Sequence, residues 1–294
     1  MDNLGMPYMG SKRKLANRIV DTILQDRPNT KYVYDLFGGG GAISFEFLKR
    51  NNTLFSPIEK VFYNELNTGV CELLKDIKVN GITEKYNQWI DRETFNKHKN
   101  DSDWFGGLCK VIWSFGNNQK SYLFGREIEK IKKQAHVYLF ENGYKIGQTE
   151  KRILLIKQFK NNEKIKGRFE LQRLEQLERL ERLQQLQQLE GLEQLERLQQ
   201  LEQLEISNKS FDEVVINTPV DQTIIYLDPP YENTGKYEIK LDHLLLDEYI
   251  KNSPYKIYMS SYENNLKCIA EFKHTTTIGS SSRRRETIEK LFTN

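Results

Sequence analysis

The sequence predicts an α/β protein built on a doubly wound parallel sheet that is interrupted by a mainly helical insertion. Three observations carry this. Near the amino terminus, apolar strand-like runs alternate with helical stretches in the order β-α-β-α, the order that builds a parallel sheet. Sheet signals then lapse and return only from Glu213 onward, so the sheet draws on both ends of the chain. Finally, Ile224-Ile225-Tyr226-Leu227 is a continuous apolar run of the kind found in strands buried on both faces. It stops at Asp228-Pro229-Pro230-Tyr231, where two prolines cannot extend a ladder.

Each element follows in order. Residues 7–24 open with Pro7-Tyr8-Met9-Gly10-Ser11-Lys12-Arg13-Lys14, after which Leu15, Ile19, Val20 and Ile23 mark the apolar side of a helix. Lys31 to Phe37 reads as a short strand running into Gly38-Gly39-Gly40-Gly41, and Ala42 to Lys49 as the helix after it. Residues 60–67 read as a second strand with a polar end, followed by a helix carrying Val70, Leu73, Leu74 and Ile77. Later strands are expected at Glu213-Val214-Val215-Ile216, at Thr223 to Leu227 and at Lys256 to Ser260, and Arg283 to Phe292 adds a short helix or strand.

Two segments interrupt this order. Residues about 82–168 are rich in Lys, Asn, Tyr and Trp, and their weak helical periodicity fits a separate helical subdomain. From Leu171 to Leu204, leucine recurs at every third position among Gln, Glu and Arg. At about 100° per residue, that spacing walks leucines around an α-helix and makes no heptad seam. A distorted helix, a small solenoid-like insert and a slipped-repeat expansion in a tolerant loop all remain open, and no chemistry is assigned to it. The expected domains are residues 1–80 with 205–294, then 81–168, with the repeat insertion at 169–204.

Bulk properties narrow the function classes. A chain of 294 residues accommodates one large domain or two modest ones, and a net charge of +3 does not by itself announce a polyanion partner. Cys71, Cys109 and Cys268 lack metal-ligand spacing and read as reduced intracellular thiols, so no metal is expected. No apolar span reaches membrane length and Met1 opens no signal peptide, so a soluble cytoplasmic protein is expected.

The candidate chemistry lies at strand ends. In open α/β sheets, ligands bind outside the carboxyl ends of the strands, where Asp228 and Tyr231 stand. A carboxylate beside a ring and proline-fixed carbonyls can hold a planar amino-bearing base, although a strand followed by a Pro-Pro turn explains the same four residues. The glycines after Asp35-Leu36-Phe37 allow close approach to backbone N–H groups at a helix start. Glu65 ends the next strand, where an acid can accept from ribose hydroxyls or simply be a solvated charge. Their separation of roughly thirty residues suits one βαβ unit. The G-x-G-x-x-G fingerprint is not cleanly met and no Walker A follows, so a nucleoside ligand without phosphates fits better than a dinucleotide.

Tyr8-x-Gly10-Ser11-Lys12, Asp35-x-Phe37 with its glycines, Asn64-Glu65-x-Asn67 and Asp228-Pro229-Pro230-Tyr231 occur in that order. The set resembles the Dam-like, D12-class DNA adenine-N6 methyltransferases of the α-group, over roughly residues 5–80 and 205–294. The resemblance implies a Rossmann-like sheet using S-adenosylmethionine, with residues 81–168 as an inserted target-recognition subdomain. It implies that Tyr8, Gly10 and Lys12 line the cofactor pocket and that Asp35, Phe37, Gly38 and Gly40 approach the methionine part. Glu65 would bind ribose, Asp228 would also border the cofactor, and Phe211 would stack on its adenine. Ser210 stands where the family often has Asp, a weaker acceptor, and a plain core role is the alternative for Phe211.

By the same resemblance, Asp228 and the Pro229 carbonyl, with Pro230 fixing the backbone, would accept from the N6 amine of a flipped adenine stacked on Tyr231. Accepting both N6 protons favours a pyramidal nitrogen with a usable lone pair. Within the insertion, Asn117, Asn118, Gln119, Lys120 and Arg126 carry side chains that can read base edges or phosphates, and a solvated loop is the alternative for each. Lys130, Lys132, Lys133 and Arg283 to Arg285 fit phosphates or a solvated surface. The partners expected are double-stranded DNA, with a cognate restriction nuclease as a candidate, and the chain is expected as a monomer or weak dimer. The rival readings are cytosine-N4 methylation, a DNA-binding module that has lost catalysis, and an RNA or protein amine methyltransferase.

Overall fold

The computed structural model describes residues 4–50, 58–165, 201–230, 241–277 and 284–294. The Leu-x-x repeat up to residue 200, Tyr231 and Arg283 lie outside these residues. The chain divides into two compact units, one of Met1–Gly5, Gly10–Cys71 and Leu198–Asn294, the other of Met6–Met9 and Glu72–Arg197.

The first unit is built on a seven-stranded sheet among the described residues, in the order β3-β2-β1-β4-β5-β7-β6. Its strands are β1 (Tyr32–Asp35), β2 (Lys60–Asn64), β3 (Leu204–Ser207), β4 (Thr223–Leu227), β5 (Lys256–Ser261), β6 (Lys267–Thr277) and β7 (Arg284–Thr293). The first five run parallel, with Val33 opposite both Val61 and Ile224. β7 is antiparallel to both β5 and β6. The chain steps outward from β1 to β2 and β3, then returns to β4 on the other side of β1. The switch point therefore lies between β1 and β4, where doubly wound sheets open a crevice at their carboxyl ends.

Side chains alternate between the two faces of the sheet with the strand period of two, and the central strands are buried on both. Ile225, Leu227, Ile257 and Met259 pack with Leu246 and Ile250 of a helix at His243–Asn252. Fully burying each such side chain contributes about 1.5–3 kcal/mol. The helices α1 (Ala16–Asp26) and α2 (Ala42–Arg50) pack on each other, burying Ile19, Val20 and Ile23 from one and Phe45, Phe47 and Leu48 from the other. Thr68–Asn80 forms α3 after β2.

The second unit contains α4 (Arg92–His98), α5 (Trp104–Ile112), α6 (Arg126–Glu141) and α7 (Thr149–Ile165). Asp91 and Asp103 cap α4 and α5 by accepting from Thr94 N–H and Gly106 N–H at 2.9 Å. The helix at His243–Asn252, capped by Asp242, is α8.

Two sequence expectations change. Val214-Val215-Ile216 forms no strand: a 3₁₀ turn at Phe211–Glu213 precedes it, Val215 is exposed, and the Ile216 carbonyl accepts from the Tyr255 hydroxyl. The strand beside β2 is instead Leu204-Glu205-Ile206-Ser207, beginning on the last leucine of the repeat. Its apolar-polar alternation suits an edge strand buried on one face. The carboxyl-terminal segment is a full strand, β7, and its partner β6 carried no clear strand signal because both are polar and largely two-sided.

Candidate active site

β1 delivers Asp35 to the switch point and the glycine turn carries the chain into α2. The turn is fixed by β2 and the residues just after it. Gly38 N–H donates to the Asn64 carbonyl at 2.8 Å, Gly39 N–H to Glu65 Oε2 at 2.8 Å, and the Tyr63 hydroxyl to the Gly39 carbonyl at 2.7 Å. Gly38 has to be glycine because a Cβ there would lie 2.2 Å from the buried Tyr63 ring. Gly41 adopts φ +72°, which glycine alone takes without strain, and its added Cβ would strike Phe45 at 2.3 Å. Gly40 is buried within the turn, and Gly10 is exposed with φ +75°.

Asp35 is buried. Ser44 Oγ, in the first turn of α2, donates to Asp35 Oδ2 at 2.7 Å, while Asp35 Oδ1 has no hydrogen-bond partner among the described residues. Burial pushes this carboxyl up to about 7, helped by the charges of Asp228 and Glu65 and opposed by Ser44. Glu65 Oε1 accepts from Asn67 N–H at 2.9 Å, so this acid ties the glycine turn to the start of α3. Phe37 stacks on Phe211 at 5.5 Å between centroids, and Phe211 is buried with its ring edge-on to Tyr249. Ser210 forms a capping box with Glu213, the role it plays in place of a carboxylate.

At the end of β4, Asp228 Oδ1 receives the Lys12 ammonium at 2.8 Å. Lys12 is buried and also lies 3.6 Å from Glu289 Oε1 on β7. Burial raises the Asp228 carboxyl to about 6, with Lys12 lowering it and Glu289 raising it. Above that pH it is an ionised acceptor, and no hydrogen bond to its Oδ2 forms among the described residues. Pro229 is buried and Pro230 half-buried behind it, and the Tyr226 hydroxyl shares a hydrogen with Ser260 at 2.6 Å.

Within this unit, then, the structure gathers Lys12, Asp35, Phe37, Gly38, Gly40, Glu65, Phe211, Asp228 and Pro229 around the carboxyl end of the sheet. Tyr8 is half-buried and belongs to the other unit. Sequence reasoning passed over two residues. Asn64 makes four hydrogen bonds, donating to the Leu36 and Lys209 carbonyls and accepting from Ser207 Oγ and Lys209 N–H, so it clamps three strand ends. Its signal was the motif Asn64-Glu65-x-Asn67 itself. Glu289 carried none, because a single Glu in a polar strand looks solvated.

In the second unit, Ser114 and Tyr122 bridge the base of a loop that holds four of the five nucleic-acid candidates. Gly116, Asn117 and Gln119 take φ near +60°, uncommon for the two amides. Asn118 Oδ1 accepts from the N–H groups of Lys120 and Ser121 at 2.9 Å, so its carbonyl oxygen shapes the turn. Phe115 is 60% exposed at this loop, Lys120 is exposed, and Arg126 is exposed at the start of α6. Arg284 and Arg285 begin β7, and Lys132 is buried in α6 rather than presented to solvent. No group of three or more His, Cys, Asp or Glu able to hold a metal occurs among the described residues, and no described helix is long and apolar enough to cross a membrane.

A doubly wound sheet with a glycine turn at its switch point and Asp-Pro-Pro on the adjoining strand defines a Rossmann-like methyltransferase. Residues 8–249 match the sequence model of the D12 class N6 adenine-specific DNA methyltransferase, well over half the chain, and the chain belongs to that family. It is a DNA adenine methyltransferase. Among curated proteins, none matches the chain.

Proposed function

We propose that the chain moves the methyl group of S-adenosylmethionine onto adenine N6 within a specific duplex DNA sequence, with the base flipped out and the nitrogen attacking directly in line. The observation that carries this reading is Asp228 at the end of β4, beside the switch point and against the Lys12 ammonium at 2.8 Å. A carboxylate held there can accept from an exocyclic amine, and each charge-assisted hydrogen bond contributes about 1.5–3 kcal/mol. The prolines fix the following carbonyl as a second acceptor. Positioning of amine and methyl accounts for most of the acceleration, of the order of 7–11 kcal/mol for well-oriented reactants.

The residues present fit the cofactor. Asp35 Oδ1 is a buried acceptor without a partner among the described residues, next to the glycine turn, and suits a donor on the methionine part. Glu65 accepts from the Gly39 and Asn67 N–H groups and stands at a strand end where an acid can accept from ribose hydroxyls. Tyr8, Gly10, Lys12, Phe37, Gly38, Gly40 and Phe211 complete the proposed holding set. Bound there, S-adenosylmethionine supplies an electrophilic methyl on sulfonium. Tyr231, by its place in the motif, would stack on the extruded base, a contact of about 1–3 kcal/mol in other nucleic-acid sites.

Residues 1–80 and 205–294 are proposed as the catalytic domain and 81–168 as the target-recognition part. The loop with Asn117, Gln119 and Lys120, together with Arg126, supports that assignment by its exposed or strained backbone positions. The test is transfer of labelled methyl from S-adenosylmethionine to unmethylated duplex DNA, followed by digestion to nucleosides. N6-methyladenine is expected; label in N4-methylcytosine, or in no nucleoside, overturns the proposal.

A further inference from the structure

The last strand brings a fourth acid to the catalytic end of the sheet. Glu289 is 2% exposed, and its Oε1 lies 3.6 Å from the Lys12 ammonium that Asp228 holds at 2.8 Å. Register explains how it gets there. Leu227 pairs with Met259 and Ser261 with Lys290, so β5 sets Glu289 just past the level at which Asp228 leaves β4. Burying a carboxylate costs several kcal/mol unless it is paired, and a stable core has no use for one beside Asp228. One ammonium thus serves the buried Glu289 and the half-buried Asp228, and it sits closer to the acid that methyl transfer requires as an acceptor.

We propose that Glu289 is a positioning residue for methyl transfer, holding the Lys12 ammonium in the site when Asp228 takes the adenine amine. This rests on the reading of Asp228 as the amine acceptor. An ammonium on Oδ1 competes with an amine for that oxygen. Moving it toward Glu289 by less than one ångström gives the second pair the 2.8 Å distance that the first pair now has. Without Glu289, the charge that draws the Lys12 ammonium away from Asp228 is gone. Among the described residues, the charged and titratable groups facing this pair include Lys12 itself, Tyr226 on β4, and Asp35 on β1 with Glu65 beyond it. From β6, Phe272 lies opposite Glu289 and carries the Arg18 guanidinium over its ring at 5.0 Å.

The test compares wild type, E289Q, E289D and E289Q in a K12M background. Single-turnover transfer is followed against pH, and the Asp228 carboxyl is titrated by ¹³C NMR in cofactor-free protein. In E289Q the plateau rate should fall roughly 10- to 100-fold, the penalty of misplacing a group by about 1 Å, with little change in KM. The acid limb and the Asp228 titration should both move to lower pH, because a repelling charge is gone. E289D should restore most of the rate, and E289Q should add nothing once Lys12 is Met. A folded E289Q with wild-type plateau, limb and titration overturns the proposal. If E289Q does not fold, E289M replaces it, and a wild-type plateau, limb and titration in E289M overturn the proposal. If wild type makes no N6-methyladenine, the catalytic reading fails, while the Asp228 titration still shows whether Glu289 controls the Lys12 pair.

Discussion

Replacing Asp35 with Asn should make the protein more stable, and more so as pH rises. The folded chain keeps the Asp35 proton up to about pH 7, whereas an unfolded chain releases it near 3.8. Between those values the native state holds one proton more than the unfolded state, so wild-type stability falls with rising pH, by about 1.4 kcal/mol per pH unit. Integrated from pH 5 to pH 8, that loss is about 2.5 kcal/mol. Asn keeps the shape and the Ser44 hydrogen bond but cannot ionise, so it escapes the loss. The assay is urea unfolding of both proteins at pH 5 and pH 8. The stability gap should widen by about 2.5 kcal/mol in favour of the variant, and a gap constant to within about 0.5 kcal/mol would refute the burial argument. Cofactor affinity should move the opposite way, weakening roughly 10- to 100-fold at pH 8 as one charge-assisted hydrogen bond is lost. A buried carboxylate kept at such a cost to stability is the signature of a functional group.

Other expectations follow from the same geometry. Asn64→Ala removes four buried or part-buried hydrogen bonds that join three strand ends and should cost about 2–4 kcal/mol by denaturant unfolding. Gly38→Ala pushes a methyl to 2.2 Å from the Tyr63 ring, so the turn must shift. It should lower stability by about 1–3 kcal/mol and weaken S-adenosylmethionine in a calorimetric titration. With cofactor saturating, single-turnover methyl transfer should be flat above about pH 6 and fall tenfold per pH unit below it, as Asp228 takes up its proton. A rate still level at pH 5 would remove Asp228 as the acceptor that must be ionised.

The sheet was legible in the sequence where strands are central. Thr223 to Leu227 was expected and found as β4, because burial on both faces forces a continuous apolar run that two prolines end. β1 and β2 were legible for the same reason, with the glycine turn marking where β1 stops. The edges were not. β3 is half-buried and hides at the end of a repeat whose leucines dominate the pattern, while Val214 to Ile216, with Val215 exposed, imitated a strand without neighbours to pair with. β6 and β7 pair mainly with each other, so neither needs the apolar signature of a core strand.

The site divides along the same line. Asp35, Glu65 and Asp228 could be picked out because each ends a legible strand. Their partners could not, since pairing depends on register between segments far apart in the chain. Lys12 reaches Asp228 across 216 positions of sequence, Asn64 reaches Lys209 across 145, and Glu289 arrives only through the antiparallel placement of β7. The family resemblance implied a place for Lys12 in the cofactor pocket; the structure adds that its ammonium sits on the Asp228 carboxylate.

The most direct test of the central claim is Asp228→Ala, assayed for labelled N6-methyladenine in duplex DNA alongside S-adenosylmethionine binding by calorimetry. Loss of transfer by roughly 10³-fold or more, with cofactor affinity held within a few-fold, is the predicted result. A variant that still methylates adenine at near the wild-type rate would contradict the account.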